Sequence, residues 1–327
     1  MSIVIRHRRQ PQELPDVDDF EIVDVSVPVP TGNNIKVQSI YLSLDPGLRS
    51  KIRDIPDDAI KHQTISAYAL GRVMDPGMTN LSVGQLVRGK WGWAQEALVP
   101  SPDLEIVDEQ SDIDPADELG VLGMPGMVAY VGLLDFGQPQ PGETLYVSAA
   151  AGAIGSMVGQ IGKILGCRVI GSAGTNEKVT RLIALGFDDA FNYRVTDPED
   201  ALKKLAPNGV DVFFDNVGGP QLQAALDSMA LYGRIVCCGS ISTYNGPPSG
   251  LPLYGLRQMV TNRLRMQGFV IWDHYDRSAD QRSDMLQWIR SGALEPLRAV
   301  TAGIENTPAA FIAMLQGSNM GKTLIKV

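Results

Sequence analysis

The stretch that most constrains this chain is Thr144–Lys178, TLYVSAAAGAIGSMVGQIGKILGCRVIGSAGTNEK, because its hydrophobic period changes twice. A β-rich run, Leu145, Tyr146 and Val147, gives way to apolar residues at helical spacing, Ile154, Val158, Ile161 and Leu165. Gly166 sits at a helix C-cap position, and a second β-rich run follows. Strand, glycine turn, amphipathic helix and strand make a βαβ unit, the building block of a parallel sheet. Gly152 and Gly155 carry no Cβ, so a phosphate can approach the backbone of that turn. The turn feeds a helix N-terminus, whose free N–H groups and dipole favour a pyrophosphate. The GxGxxG pattern is incomplete, because Ala150 stands at its first glycine.

The end of the second strand decides which dinucleotide fits. A carboxylate there would bind an NAD ribose hydroxyl. The chain instead reads Gly171, Ser172, Ala173, Gly174 and Thr175, with Lys178 next. A missing acid beside a cation predicts a 2′-phosphate, hence NADP(H). One charge-assisted hydrogen bond contributes about 1.5–3 kcal/mol, so Lys178 alone would give roughly 10- to 100-fold preference for NADPH.

The remainder of the chain sets the frame. Its 327 residues allow two domains and a substantial core. A net charge of −9 argues against nucleic acid, and no apolar run reaches the length of a membrane span. The N-terminal segment lacks a signal-peptide apolar core, and a cytoplasmic location is expected. The three cysteines, Cys167, Cys237 and Cys238, form no CxxC pair and suit a reducing compartment. Cys237 and Cys238 fall in one strand and would point to opposite faces, which puts one of them in the core. The histidines, His7, His62 and His274, do not cluster at metal spacing, so no zinc site is expected.

Residues 1–119 read as β-rich, with strands at Ile35–Ser39, Gln85–Gly89 and Gln95–Val99 between Pro, Gly and Asp turns. From residue 120 strand and helix alternate. Later strands are expected at Ala190–Tyr193, Val210–Phe214, Gly233–Cys238 and Leu264–Ile271, with helices at Pro220–Leu231 and Ala279–Ser291. Six strands in this pattern form a doubly wound parallel sheet with ligands at the carboxyl ends, which places Phe269–Ile271 beside a nicotinamide. The chain then returns to the first domain and ends in strand-like Thr323–Val327.

Several motifs together carry a family resemblance. They are YLSLDPGLR (Tyr41–Arg49), KWGWAQEALVP (Lys90–Pro100), LGMPGMVAYVGLL (Leu122–Leu134) and AAAGAIG (Ala149–Gly155). FDNVGG (Phe214–Gly219), CGSISTYN (Cys238–Asn245) and GSNMGK (Gly317–Lys322) complete the set. In order and spacing they resemble the zinc-independent medium-chain dehydrogenase/reductases, in the branch of prostaglandin reductases and alkenal/enone double-bond reductases that includes curcumin reductases. The resemblance implies an α/β chain: a GroES-like β-rich domain over 1–119, completed by 292–327, plus a Rossmann doubly wound parallel sheet over 120–291. It also implies a homodimer.

The resemblance further implies site roles. Gly152, Ala153, Ile154 and Gly155 would hold the pyrophosphate. Lys178 and Tyr193 would bind the 2′-phosphate, and Asn216 would lie on the nicotinamide side. Cys238, Gly239, Ser240 and Ile241 would wrap the cofactor in the loop ending at Tyr244. Phe269, Val270, Ile271 and Asn319 would complete the site. Two positions depart from the family: Gly47 where an aromatic is common, and Val128 where threonine is. The first removes a pocket wall, and the second removes a hydroxyl that could orient the carboxamide.

The implied reaction is hydride transfer to the carbon β to a carbonyl, with negative charge developing on the oxygen. It needs positioning and enolate stabilisation rather than a charged pair. Tyr244 is the expected donor to that oxygen, because a phenol stays protonated at neutral pH. Tyr41, Tyr254, Trp272 and Tyr275 are candidate walls of an apolar substrate pocket, with Gly246–Leu256 as a lid. The same cofactor fold would also serve quinone reduction, or a cofactor-binding protein without turnover.

Overall fold

The structure, a computed structural model, describes residues 1–11, 13–53, 63–109, 112–245 and 252–327. The chain divides into two compact units, Met1–Gly120 with Arg298–Val327, and Val121–Leu297.

The first unit opens with β1 (Ser2–His7) and β2 (Phe20–Val25), paired antiparallel. β3 (Asn34–Leu44), β4 (Tyr68–Asp75), β5 (Leu86–Lys90) and β7 (Glu105–Ile106) run antiparallel in one sheet, with β6 (Glu96–Pro100) pairing to β3. A short helix, α1 (Leu48–Arg53), follows β3.

The second unit holds six parallel strands: β8 (Thr144–Val147), β9 (Arg168–Ala173), β10 (Asp189–Asn192), β11 (Val210–Asp215), β12 (Met229–Cys237) and β13 (Arg265–Gly268). Their spatial order is β10-β9-β8-β11-β12-β13. The order therefore reverses between β8 and β11, where ligands settle in such sheets. Helices cover the strands, among them α2 (Met124–Val131), α3 (Ala153–Ile164) and α4 (Asn176–Ala184). β8 and β11 read as near-continuous apolar runs because both faces of a parallel sheet are buried. Tyr146 stacks on Phe213 at 4.8 Å at the centre of this core.

The chain then returns to the first unit. β14 (Arg298–Ala302) and β15 (Lys322–Lys326) complete its large sheet, β15 lying against β3. Phe311, on the helix between them, meets Trp93 edge-on at 5.3 Å in a core with Ile5, Leu42, Leu44 and Ile325.

Three expectations are corrected. The helix expected to reach Leu231 ends at Ser228, and Met229 begins β12. Its apolar spacing continues past Ser228, but Met229 is buried and pairs with Val210, so tertiary packing overrides the local pattern. The sixth strand stops at Gly268, and Ile271 starts a 3₁₀ segment, Ile271–Arg277. Cys237 and Cys238 are both half-buried, because the strand ends between them.

One buried group makes the first unit acid-sensitive. His7 is 3% exposed, and burial pulls its pKa down to about 4 against the opposing charge of Asp19. The unfolded chain takes the proton at about 6.5, so stability is full above that pH and is lost as pH falls toward 4. Asp117, pushed up to about 6 by burial, works in the opposite direction, so the His7 effect is read as a difference between variants. Urea unfolding is expected to show wild type losing roughly 2–3 kcal/mol relative to His7→Phe between pH 7.5 and 4.5. An equal acid response in the two proteins would remove His7 as the cause.

Candidate active site

The carboxyl ends of four strands form a level rim. Val147 pairs with Phe214, Asp215 with Cys237, and Cys237 with Gly268. With neighbouring strands about 4.8 Å apart, β8 to β13 spans roughly 14 Å, the reach of half a dinucleotide. Every candidate cofactor residue except Asn319 lies on the second unit near such an end. Asn319 belongs to the first unit, where its amide donates to the Gly321 carbonyl at 3.0 Å.

The turn after β8 is built for close approach. Gly152 caps α3 without a side-chain acceptor, leaving the first-turn N–H groups without a cap from the chain. Ala153 and Ile154 begin the helix half-buried. A Cβ on Gly155 would lie 2.5 Å from the Ala149 carbonyl, so glycine lets the turn fold onto the helix. Ala149 holds φ +47, a left-handed backbone costly for a residue with a side chain. Ala150, in place of the first glycine, is fully buried, and its methyl would sit 2.9 Å from a Cβ on Gly171. Gly171 on β9 thus makes the room that the missing glycine would have made.

Asp215 organises the switch point. Its buried carboxylate accepts from Ser148 Oγ at 3.0 Å and from the Val217 and Gly218 N–H groups at 2.9 Å. Burial raises its pKa, and the two backbone bonds with Ser148 pull it back. Its carbonyl accepts from Cys238 and Gly239. Asn216 donates its side-chain amide to the Ser148 carbonyl at 2.8 Å, which fixes that side chain across the switch point.

At the β9 end, Gly174 faces a small cationic group. A Cβ there would meet Tyr193 Oη at 3.1 Å and Arg194 Nε at 3.4 Å. Lys178, half-buried, has its pKa lowered by burial and by the Arg194 charge. The Arg194 charge acts on Lys178 here, and Glu177 on the same helix opposes it. Thr175 serves mainly as a helix cap, its hydroxyl accepting from Lys178 N at 3.3 Å.

At the β12 end, the loop Cys238–Tyr244 is laced to the Asp215–Val217 turn. Ile241 N donates to Asn216 O, and Ser242 N to Val217 O. Ser240 Oγ and Thr243 Oγ1 lie 3.1 Å apart. The Tyr244 hydroxyl comes back over Gly239, 3.4 Å from where a Cβ would stand. Burial raises its pKa, opposed by the Ser240 backbone. Burial also pushes Cys237 up to about 11 and Cys238 to about 12, so neither thiol is a nucleophile at neutral pH. Beyond β13, Phe269 packs inward and Ile271 is buried, while Val270 is 52% exposed.

The remaining candidates are scattered over both units. Tyr254, Trp272 and Tyr275 are exposed on the second, and Tyr41 is half-buried on the first. Gly47 has open space around it, and Val128 is buried in α2. Residues 246–251 of the expected lid, and His62, lie outside the described residues. Among the described residues no group of three or more His, Cys, Asp and Glu could hold a metal ion, and no helix is long and apolar enough to cross a membrane.

Two family descriptions match the chain: a zinc-binding dehydrogenase over residues 153–291 and an N-terminal domain of oxidoreductase over residues 4–107. The chain is 38% identical to a 2-alkenal reductase (NADP(+)-dependent) of Nicotiana tabacum, over 96% of this chain and 94% of that one. It is 36% identical to an NADPH-dependent curcumin reductase of Escherichia coli, over 97% and 94%. The CurA crystal structure from Vibrio vulnificus in complex with NADPH superposes with TM-score 0.92 at 36% identity, covering 99% of each chain. The chain belongs to the zinc-independent medium-chain dehydrogenase/reductases. Within this family member, sequence reading missed Arg194 and Asp215. Arg194 directly follows the Tyr193 already singled out, so the strand end itself was the available signal. Asp215 stood inside a quoted motif, but nothing in a sequence tells a buried acid from a ligand-facing one.

Proposed function

We propose that this chain reduces the C=C bond of α,β-unsaturated ketones and aldehydes with NADPH. The observation that carries the reading is the rim itself. At one end Lys178 and Arg194 converge beside Tyr193. At the other the half-buried Tyr244 phenol overhangs Gly239. The named activities of the 38%- and 36%-identical relatives support the same reading.

NADP(H) is the cofactor, and when bound it supplies the hydride. Lys178, Arg194 and Tyr193 hold the 2′-phosphate, with Gly174 giving their side chains room and Thr175 capping the helix that carries Lys178. Gly152, Ala153, Ile154 and Gly155 offer helix N–H groups to the pyrophosphate. Asn216, the Cys238–Ile241 backbone and Phe269–Ile271 line the nicotinamide side. Tyr244 donates a hydrogen bond to the substrate carbonyl oxygen and stabilises the enolate charge as hydride adds to Cβ. A proton then reaches Cα, giving the saturated carbonyl and oxidised cofactor. A raised phenol pKa keeps that donor protonated throughout the neutral range.

The chain also has a surface suited to self-association. Among the described residues β13 pairs only with β12, and Tyr232 and Val260 are exposed at 65% and 76%. An open edge with apolar neighbours is a template for pairing, and the occupant we propose is a second copy of this chain.

The assay is NADPH consumption against enones, alkenals and quinones, with product mass locating the added hydrogens. A saturated carbonyl supports the proposal, whereas turnover of quinones alone overturns it. Tyr244→Phe is expected to lower kcat/KM by about 100-fold, the lower end of what losing an oxyanion donor costs. Wild-type activity should stay level up to pH 9 and fall only above the ordinary phenol pKa of about 10. Lys178→Ala alone should leave part of the NADPH preference. Lys178→Ala with Arg194→Ala should abolish it by raising KM for NADPH and not for NADH. Sedimentation at micromolar concentration should give about twice the 35.3 kDa chain mass, and a monomer would remove the dimer.

A further inference from the structure

We propose that Gly132 and Phe136 are positioning residues for the nicotinamide half of the site, acting through the side chain of Phe269. The inference rests on the reading that NADPH lies along the second unit's rim with its nicotinamide over β12 and β13.

β13 is only four residues long and has one neighbour in the sheet. The segment after it, Phe269–Ile271, therefore gains no placement from a second flanking strand. What holds it is a π-helical turn, Gly132–Gly137, which continues α2 and closes at Gln138 with φ +48. Residues 132 and 136, four apart, both face one ring. Phe269 stacks on Phe136 with centroids 5.0 Å apart and planes 18° from parallel. Its other contact is the bare face of Gly132, where a Cβ would lie 2.7 Å from Phe269 Cζ and 2.8 Å from Phe214 Cε2. Glycine at 132 is thus a condition for the ring to enter.

The turn is itself tied to β12 and to the edge strand β13. Arg265 donates to the Phe136 carbonyl at 2.6 Å, and Arg234 donates to Gly137 O at 3.0 Å and Gln138 O at 2.9 Å. His274 meets the Phe136 ring edge-on at 5.3 Å. With Phe269 clamped and Ile271 buried, the extended backbone alternates, and the residue between them, Val270 at φ −120 and ψ 123, is left exposed at the rim. The clamp fixes where Val270 and its backbone stand. It touches nothing at the adenosine end, which lies across the sheet at β9 and β10.

That separation provides the test. NADPH and 2′,5′-ADP share the 2′-phosphate end, and only NADPH reaches β13. In the full chain, Phe136→Ala and Phe136→Leu are expected to weaken NADPH binding by about 3- to 10-fold, the worth of one aromatic pair. Binding of 2′,5′-ADP should stay within twofold. Phe136→Tyr, which keeps the stack, should restore NADPH affinity, and kcat with an enone should follow the same order. Phe136→Leu keeps apolar volume, so it carries the test if the alanine variant does not fold. A folded Phe136→Leu that binds both ligands like wild type overturns the inference, as does equal weakening of both, which would mark general loosening. Wild type that binds 2′,5′-ADP as tightly as NADPH would overturn the underlying placement of the nicotinamide, and the inference with it.

Discussion

Asp215 joins three strand ends, two through its carboxylate and the third through its backbone carbonyl. It takes the Ser148 hydroxyl from the β8 turn and two backbone N–H groups from its own turn, while its carbonyl takes two from the loop after β12. Burying an acid is costly, and the raised pKa records that cost. The charge-assisted bonds offset it, because donors that point inward here have no other acceptor. The consequence is that the turns after β8, β11 and β12 are held relative to one another by one residue. Gly218 can accept its place in that turn because it holds φ +70, where a side chain would be strained.

Two features of the site concentrate unfavourable energy that a ligand can release. The Arg194 charge, after burial, disfavours the charged form of Lys178. Ala149 holds a left-handed backbone at the turn. Both are local costs borne by a large core, and both sit where phosphates are expected. Tyr244 differs in kind. Its phenol is half-buried, and burial raises its pKa, so it keeps its proton through the neutral range. An enzyme that receives its hydride from a cofactor has no need of a nucleophile, and the protonated Cys237 and Cys238 fit that economy.

Much of this was legible in the chain. The switch from period two to helical spacing across Val147–Ile154 located β8, the turn and α3 to within a residue. The absence of an acid after Ala173, with Lys178 beyond, pointed to a phosphate pocket because charge and spacing are properties of neighbours in sequence. Failures came where distant contacts decide. Met229 left a helical pattern because its place in the core lay beside Val210. Distant contacts also hold Phe269, whose ring lies against Phe136 and Gly132, more than 130 residues earlier. The Thr175 hydroxyl caps the helix that follows it, accepting from the Lys178 N–H.

The sequence by itself determined the βαβ register, the glycine turn, the polarity of the cofactor's far end and the family. These follow from periodicity, from the absence of Cβ atoms and from charge, all of which act over a few residues. Only the tertiary structure decided that Ala150 could replace a glycine because Gly171 yields the space, that Arg194 joins Lys178, and that a π-turn grips the chain beyond β13. Each depends on which side chains meet across the sheet. That is set by how strands and helices stack, and no single segment contains it.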